Sequence, residues 1–101
     1  MEEKRKYRRI SVLLDVQWEG ATGKYEARTS DISFGGCFID TIGKADVGET
    51  ITFKICQPSG DWIELEGEVR YELPRLGFGV KFKNLSAESV QKVIELVKSE
   101  Q

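Results

Sequence analysis

The 101-residue chain contains no histidine, only two cysteines and two prolines, and no long hydrophobic run. Histidine is the side chain most used in general acid–base catalysis and in zinc sites, so we expect no enzyme, no catalytic residues and no bound metal. Cys37 and Cys56 are too few for a disulfide framework, which favours free thiols in a reduced, cytoplasmic protein. The longest apolar stretches, such as residues 12–14, are far shorter than the roughly 20 residues that cross a bilayer. We therefore expect neither a membrane span nor a signal peptide.

The net charge of the chain is small, but its charged residues are unevenly distributed. The chain carries 15 basic and 17 acidic residues, a formal charge of −2. Residues 1–9 hold five basic and two acidic side chains, so this segment carries +3 and residues 10–101 carry −5. We predict a basic N-terminal arm over residues 1–9 and one acidic domain over residues 10–101. An acidic body disfavours DNA or RNA as a partner, because phosphate binding needs a positive face.

Alternation of apolar and polar residues with period two dominates the chain and predicts strands. In the clearest example, residues 10–18, every even position is apolar, and Ser11, Asp15 and Gln17 lie on the odd face. Six such segments cover residues 10–18, 24–31, 37–39, 51–55, 63–71 and 78–82, and turn or loop residues separate them. Antiparallel strands this closely spaced hide their edges best in a small closed or nearly closed barrel.

The last segment changes to a helical period. Ser86 is a suitable N-cap, and Glu88 in the first turn favours the helix dipole. The apolar positions follow i, i+3, i+4 and i+7, which predicts an amphipathic helix with this buried stripe: Val90, Val93, Ile94 and Val97. Apolar surface at Val93, Leu96 and Val97 also makes a homodimer one option.

Three further side chains have simpler interpretations. Trp18 continues the apolar face of the first strand and is expected in the core. Trp62 falls in register with the glutamates of the fifth strand, so it is either an exposed interaction residue or a sign of a β-bulge. Arg28 is expected to form a surface ion pair.

A basic run, residues 4–9, occupies the predicted arm. Such a run is often a solvated tail, but Arg9 abuts the first strand and is therefore anchored, while Arg5 lies four residues earlier. Arginine presents a planar fork of donors that suits bidentate capture of a phosphate or of the guanine acceptor edge, and it can stack on a base.

A second motif, residues 31–36, lies where the second strand ends and the third begins. In extended backbone the side chains of Asp31 and Ser33 point to the same face. A carboxylate can accept from a guanine N–H edge, and a hydroxyl can donate or accept. Gly36 permits either close approach of the backbone to a ligand or a positive φ. The alternative is a plain turn in which Asp31 and Ser33 cap backbone groups.

The two motifs in this order resemble the paired signature of the PilZ domain family. The first is Arg5-x-x-x-Arg9, and the second is Asp31-x-Ser33-x-x-Gly36. The whole run of residues 31–39 is typical of the family, as are residues 47–49 and 76–82. The resemblance extends over about residues 4–98.

The resemblance implies a mainly β fold, a small six-stranded antiparallel barrel with a C-terminal α-helix. It also implies binding of the bacterial second messenger cyclic di-GMP, with no further cofactor. Arg5 and Arg9 would engage phosphate and guanine, while Asp31, Ser33 and Gly36 would hold a guanine from the barrel. Further contacts are expected from Lys4, Arg8 and Gly35. The +3 arm can offset the two phosphate charges, and in the family it wraps the ligand, which relays the signal to a partner protein.

Several alternatives stay open at this point. In the family, the residue before the first motif arginine affects whether one ligand molecule or an intercalated pair binds, and here it is Lys4, which retains the charge but not the flat guanidinium. Some family members act instead as protein-binding adaptors in pilus assembly. A single-strand nucleic-acid-binding barrel is the third option, and the acidity outside the arm argues against it.

Overall fold

A computed structural model describes residues 9–99. It contains six strands and one helix within these bounds, as the alternation and the final helical period predict. The elements are β1 (Ile10–Gly20), β2 (Gly23–Ile32), β3 (Gly36–Asp40), β4 (Thr50–Cys56), β5 (Trp62–Leu73), β6 (Gly77–Phe82) and α1 (Ala87–Ser99).

The strands form a closed barrel in the order β1-β2-β3-β6-β5-β4, with every neighbouring pair antiparallel. This confirms the predicted barrel with a C-terminal helix. The barrel closes where β1 pairs with β4, from Val16↔Ile55 to Glu19↔Thr52. The first part of β1 therefore extends beyond β4 and pairs with β2, which brings the start of β1 to the end of β2.

The barrel interior is filled by the apolar side of each strand, as period two requires. Trp18 is 2% exposed and lies in the core, as expected. Its ring stacks on Tyr25 with centroids 4.5 Å apart and meets Phe78 edge-on at 5.0 Å. Its indole N–H donates to the Thr41 hydroxyl over 3.1 Å, so the polar atom of this large side chain is satisfied.

Helix α1 begins after Ser86, whose hydroxyl accepts the backbone N–H of Ser89 at 3.0 Å, as the N-cap prediction requires. The buried face, however, consists of Val93, Leu96 and Val97. Of the predicted stripe, Val93 and Val97 are buried, Ile94 is half-buried and Val90 is 37% exposed. The Ser89 hydroxyl donates to the Glu64 carbonyl at the barrel rim, so the first turn stays near solvent and the later turns pack into the core.

The same observation removes the basis of the homodimer expectation. Val93, Leu96 and Val97 are at most 2% exposed, because the barrel of the same chain covers them. They therefore offer no apolar surface to a second copy. In the described range, residues 9–99, no helix has the length and apolarity needed to cross a membrane.

The remaining expectations on single side chains can be compared directly. Cys37 and Cys56 are both free thiols, as predicted. Trp62 is 38% exposed and pairs with Cys56 in regular register, so it is an exposed side chain without a bulge at this point. Arg28 forms the expected surface ion pair, with its Nε 3.8 Å from a carboxylate oxygen of Asp15.

Candidate ligand-binding face of the barrel

The side chains of Arg9 and Asp31 meet on the outer face of the barrel. Arg9 immediately precedes β1, and Asp31 is the register partner of Ser11 near the end of β2. One terminal nitrogen of the Arg9 guanidinium lies 3.1 and 3.2 Å from the two carboxylate oxygens of Asp31. The side chains are 31% and 30% exposed, so the pair is partly shielded yet accessible to a ligand.

A β-bulge directs Asp31 outward. The register between β2 and β3 shifts between Thr29 and Asp31. Thr29 is fully buried, whereas Asp31, two residues later, lies in the partly exposed pair with Arg9. The Thr29 hydroxyl lies 2.7 Å from the Phe38 carbonyl and 2.9 Å from the Asp31 carbonyl, and its hydrogen can be donated to either one. This buried hydroxyl thereby stabilises the bulge that places the carboxylate on the surface.

The surroundings of Arg9 act on its pKa in opposite directions. Partial burial lowers the pKa, but the neighbouring Tyr71 and Asp31 side chains outweigh this effect. The pKa of Arg9 is therefore raised above its ordinary value. Arginine is protonated throughout the physiological range, so this site presents a permanent positive charge.

The turn between β2 and β3 is built by residues 33–36. The Ser33 backbone N–H donates to the Gly36 carbonyl over 2.8 Å. The Ser33 hydroxyl lies 3.3 Å from that carbonyl and accepts the backbone N–H of Gly35 at 3.2 Å. Ser33 thus caps backbone groups, as in the plain-turn interpretation, while Asp31 instead pairs with Arg9.

Gly36 is required by close packing of strands. A Cβ placed on this residue would lie 2.1 Å from the backbone carbonyl oxygen of Val80 on β6. No side chain fits in that space, so glycine lets β3 and β6 pair directly after the turn. Gly36 therefore serves packing between strands and does not have a positive φ, and the approach of its backbone to a ligand stays a prediction.

Five of the eight site residues expected from sequence fall in the described range. Arg9 and Asp31 are in contact, and the turn containing Ser33, Gly35 and Gly36 follows directly after β2. The other three, Lys4, Arg5 and Arg8, lie outside the described residues.

Two aromatic residues of this face were missed by the sequence analysis. Asp31 pairs with Phe38, Phe38 with Gly79, and Gly79 with Tyr71, so one row crosses β2, β3, β6 and β5. The rings of Phe38 and Tyr71 stack with centroids 6.1 Å apart and an interplanar angle of 29°. Phe38 is 8% exposed but does not belong to the core cluster, whereas Tyr71 is 38% exposed.

The reason for the omission is a second bulge. Strict alternation puts Tyr71 on the inward side with Val69, but the register between β5 and β6 shifts between these two residues. Tyr71 consequently lies on the outside. The available signal was Gly79, a glycine at an outward position of β6, where a cross-strand aromatic ring can cover the bare backbone.

A separate groove of about 1020 Å³ lies near the start of α1. Residues of β1, β2, β4 and β5 line it, including Gln17, Trp62 and Glu64, together with Ser89 and Lys92 of the helix. We call it the Trp62 groove. Neither Arg9 nor Asp31 lines it. Over residues 9–99, no cluster of three or more acidic, cysteine or histidine side chains has a metal-binding arrangement.

Comparison with known proteins agrees with this fold. The family model described as "PilZ domain" matches residues 3–99. No curated protein sequence matches the chain. Among solved structures, the inhibitor of motility MotI/DgrA of Bacillus subtilis has a TM-score of 0.78 and 22% identity, over 97% of this chain and 51% of that chain. This chain thus spans about half the length of that protein.

Two single-domain structures are matched over nearly their full length. The PilZ domain of YcgR from Escherichia coli, solved with c-di-GMP, has a TM-score of 0.75 and 16% identity, over 97% of this chain and 92% of that chain. The PilZ domain of CeSA from a cellulose-synthesizing bacterium has a TM-score of 0.71 and 19% identity, over 91% and 96%. The family match over residues 3–99, with the barrel and helix it accompanies, shows that this chain belongs to the PilZ domain family.

Proposed function

We propose that this protein is a cytoplasmic receptor for cyclic di-GMP that acts by binding the nucleotide and performs no chemistry on it. The observation that carries the proposal is the juxtaposition of Arg9 and Asp31 beside the turn of residues 33–36, on an open face of the barrel. The PilZ domain of YcgR, solved with c-di-GMP, supports it through the shared family.

The two charged groups suit the two chemical parts of the ligand. Cyclic di-GMP carries two phosphates, and Arg9 supplies a permanent positive charge with several donors. Asp31 can accept from the N–H edge of a guanine, and a guanidinium can also bind the guanine acceptor edge. Because Arg9 and Asp31 already bind each other, the ligand shares or replaces this ion pair.

The basic arm supplies the rest of the site in this proposal. Arg5, Lys4 and Arg8 bring further positive charge to a domain that carries −5 over residues 10–101. Closure of the arm on the ligand consumes part of the binding energy and creates a new surface. That surface is the signal, and a downstream protein that recognises it is the partner.

Isothermal titration calorimetry tests the proposal. Low-micromolar binding, about −8 kcal/mol, is expected for the wild type, with a stoichiometry that distinguishes one ligand from a pair. We expect Arg9→Ala to weaken binding at least about tenfold, the scale of one charged hydrogen bond. Arg28→Ala is the matched control, because Arg28 is exposed on the same hairpin and pairs with Asp15. Absence of heat with the wild type, or equal affinity for Arg9→Ala, would overturn the assignment.

A second candidate function is a protein-binding adaptor that takes no nucleotide. The exposed ring of Trp62 beside a polar groove favours it, since exposed tryptophan is common at interaction surfaces. The same titration separates the two functions, because an adaptor of this kind gives no nucleotide-dependent heat.

A further inference from the structure

Lys81 is an exposed lysine on the outer side of β6, next to the turn of residues 33–36. Its neighbours Val80 and Phe82 are 5% and 7% exposed and belong to the core, so the period of two directs the Lys81 side chain outward. The proposed nucleotide site has so far drawn no charged group from this strand.

The backbone around Lys81 is joined directly to that turn. Lys81 is the register partner of Gly36 in the pairing of β3 with β6. The backbone N–H of the next residue, Phe82, donates to the Gly35 carbonyl over 2.9 Å. Because Gly36 has no side chain, the cross-strand neighbour of Lys81 on β3 leaves the lysine chain uncovered on that side. Lys81 therefore has a defined position beside two residues that are expected to approach the ligand.

The charge of Lys81 is available to an anion. Its ammonium group forms no ion pair or hydrogen bond with another residue in the range 9–99. Its register partner on β5 is Glu68, an acidic neighbour on the same side of the sheet. The positive charge of Arg9, by contrast, is offset by Asp31 at 3.1 Å. A ligand with two phosphates needs a positive charge beyond that pair, and Lys81 supplies one on the same outer face.

We propose that Lys81 is a further binding residue for cyclic di-GMP and that its ammonium group contacts a phosphate of the nucleotide. This inference rests on the proposed function and adds to it a contact on β6. Neighbouring strands lie about 4.8 Å apart, so β2, which holds Asp31, is separated from β6 by about 10 Å. A dinucleotide is large enough to cross that distance, with a guanine at Asp31 and a phosphate toward Lys81. Lysine suits a phosphate because it presents a compact charge with three donors.

The variant Lys81→Gln tests this role, because it removes the charge and retains a long polar side chain at an exposed position. We expect the dissociation constant for cyclic di-GMP, measured by calorimetry, to rise by about three- to tenfold, the range of one hydrogen bond at a site open to solvent. Removal of the charge should also make the affinity less dependent on salt concentration. Equal affinity of Lys81→Gln and the wild type would overturn the proposal.

Lys54→Gln is the matched control. Lys54 is also exposed on a strand and is the register partner of a glutamate, Glu64, as Lys81 is of Glu68. It lines the Trp62 groove, away from Arg9 and Asp31. We expect Lys54→Gln to leave the affinity unchanged. An equal loss in both variants would indicate a general effect of net charge and would also overturn the role of Lys81.

Phosphorus NMR of the bound nucleotide identifies the group that Lys81 contacts. With the nucleotide saturated by protein, we expect Lys81→Gln to shift a ³¹P signal relative to the wild-type complex, and Lys54→Gln to leave the ³¹P signals unchanged. Weaker binding by Lys81→Gln with unchanged ³¹P signals would overturn the phosphate contact.

The wild-type titration keeps this inference separate from the proposed function. If the wild type binds cyclic di-GMP and Lys81→Gln binds it equally well, the role of Lys81 is wrong and the receptor function stands. If the wild type binds no cyclic di-GMP, the receptor function fails, and the role of Lys81 fails with it.

Discussion

Arg9 and Asp31, 22 residues apart in sequence, join the start of β1 to the end of β2 through contacts of 3.1 and 3.2 Å from one guanidinium nitrogen to both carboxylate oxygens. Each side chain is about one-third exposed. The attraction between the two charges is therefore moderate, and a ligand can reach both side chains. The charge of either residue can be removed separately by mutation.

Asp31→Asn tests whether the carboxylate serves the fold or the ligand. A partly exposed ion pair contributes little, so we expect the free energy of unfolding to fall by no more than about 1 kcal/mol in urea denaturation. We expect the affinity for cyclic di-GMP to fall by at least about tenfold, because a charged hydrogen bond is lost. Asp15→Asn is the control, since its 3.8 Å pair with Arg28 is more exposed, and neither quantity should change. A large loss of stability without loss of affinity would contradict the ligand role of Asp31.

Gly36→Ala should act on the fold before it acts on any ligand. The added Cβ would lie 2.1 Å from the Val80 carbonyl oxygen, so β3 and β6 must separate locally. We expect a loss of several kcal/mol, on the order of 2–4, in the free energy of unfolding. Gly60→Ala is the comparison, because Gly60 has φ 96° and no neighbouring atom within 4 Å, so only backbone strain of about 1 kcal/mol applies. Equal costs for the two variants would contradict the packing role of Gly36.

The buried face of α1 can be tested with two valines. Val97 is fully buried and Val90 is 37% exposed. We expect Val97→Ala to destabilise the protein by about 2 kcal/mol in urea denaturation, from two lost methyl groups and the space they leave. Val90→Ala should change stability by less than about 0.5 kcal/mol, because the site is open and alanine favours helix. A larger loss of stability for Val90→Ala would instead place Val90 on the buried face, as the sequence pattern predicts.

The two thiols should differ sharply in reactivity. Burial raises the pKa of Cys37 to about 12, whereas Cys56 is partly exposed. The thiolate is the reactive form, so in native protein at pH 8 we expect a thiol reagent to modify Cys56 and to reach Cys37 only after unfolding. Cys56→Ser should abolish the native reaction. Rapid modification of Cys37 in the native Cys56→Ser variant would contradict its burial.

Cys37 also predicts a loss of stability in alkali. Its pKa is about 12 in the folded protein against 9.0 ordinarily, so the unfolded chain loses this proton first as the pH rises. The contribution of Cys37 to the free energy of unfolding is therefore intact below pH 9 and decreases between pH 9 and 12. Cys37→Ala should reduce this alkaline slope in urea denaturation measured across that range, and an unchanged slope would contradict the buried, protonated thiol.

Most of the fold was predictable because each strand has one buried side, so period two in the sequence reports the barrel interior. The alternation predicts the wrong side of the strand after a β-bulge, where one strand has an extra residue relative to its neighbour. Strict alternation predicts an inward Tyr71, yet the shift after Val69 turns it outward, and a bulge is a cross-strand property that a single strand's pattern does not contain. Leu96 lies outside the predicted helix stripe, yet it is buried together with Val93 and Val97, and the helical period alone does not show which apolar positions face the barrel.

The arrangement of the candidate site was predictable in part. Asp31, Ser33 and Gly36 could be selected from a family signature, but their roles could not be separated by sequence. The structure gives each its own environment: Asp31 pairs with Arg9, Ser33 caps the turn, and Gly36 allows β3 to meet β6. Contacts between distant strands, such as that of Phe38 with Tyr71, depend on the strand order of the closed barrel.

The most direct test of the central claim is a titration of ¹⁵N-labelled protein with cyclic di-GMP, followed by amide chemical shifts. We expect saturable shifts at Arg9, at Asp31 and in the turn of residues 33–36, with Phe38 and Gly79 affected through the same face. The amide chemical shifts of residues that line the Trp62 groove should not change. No change at high ligand concentration, or shifts confined to the Trp62 groove, would contradict the account.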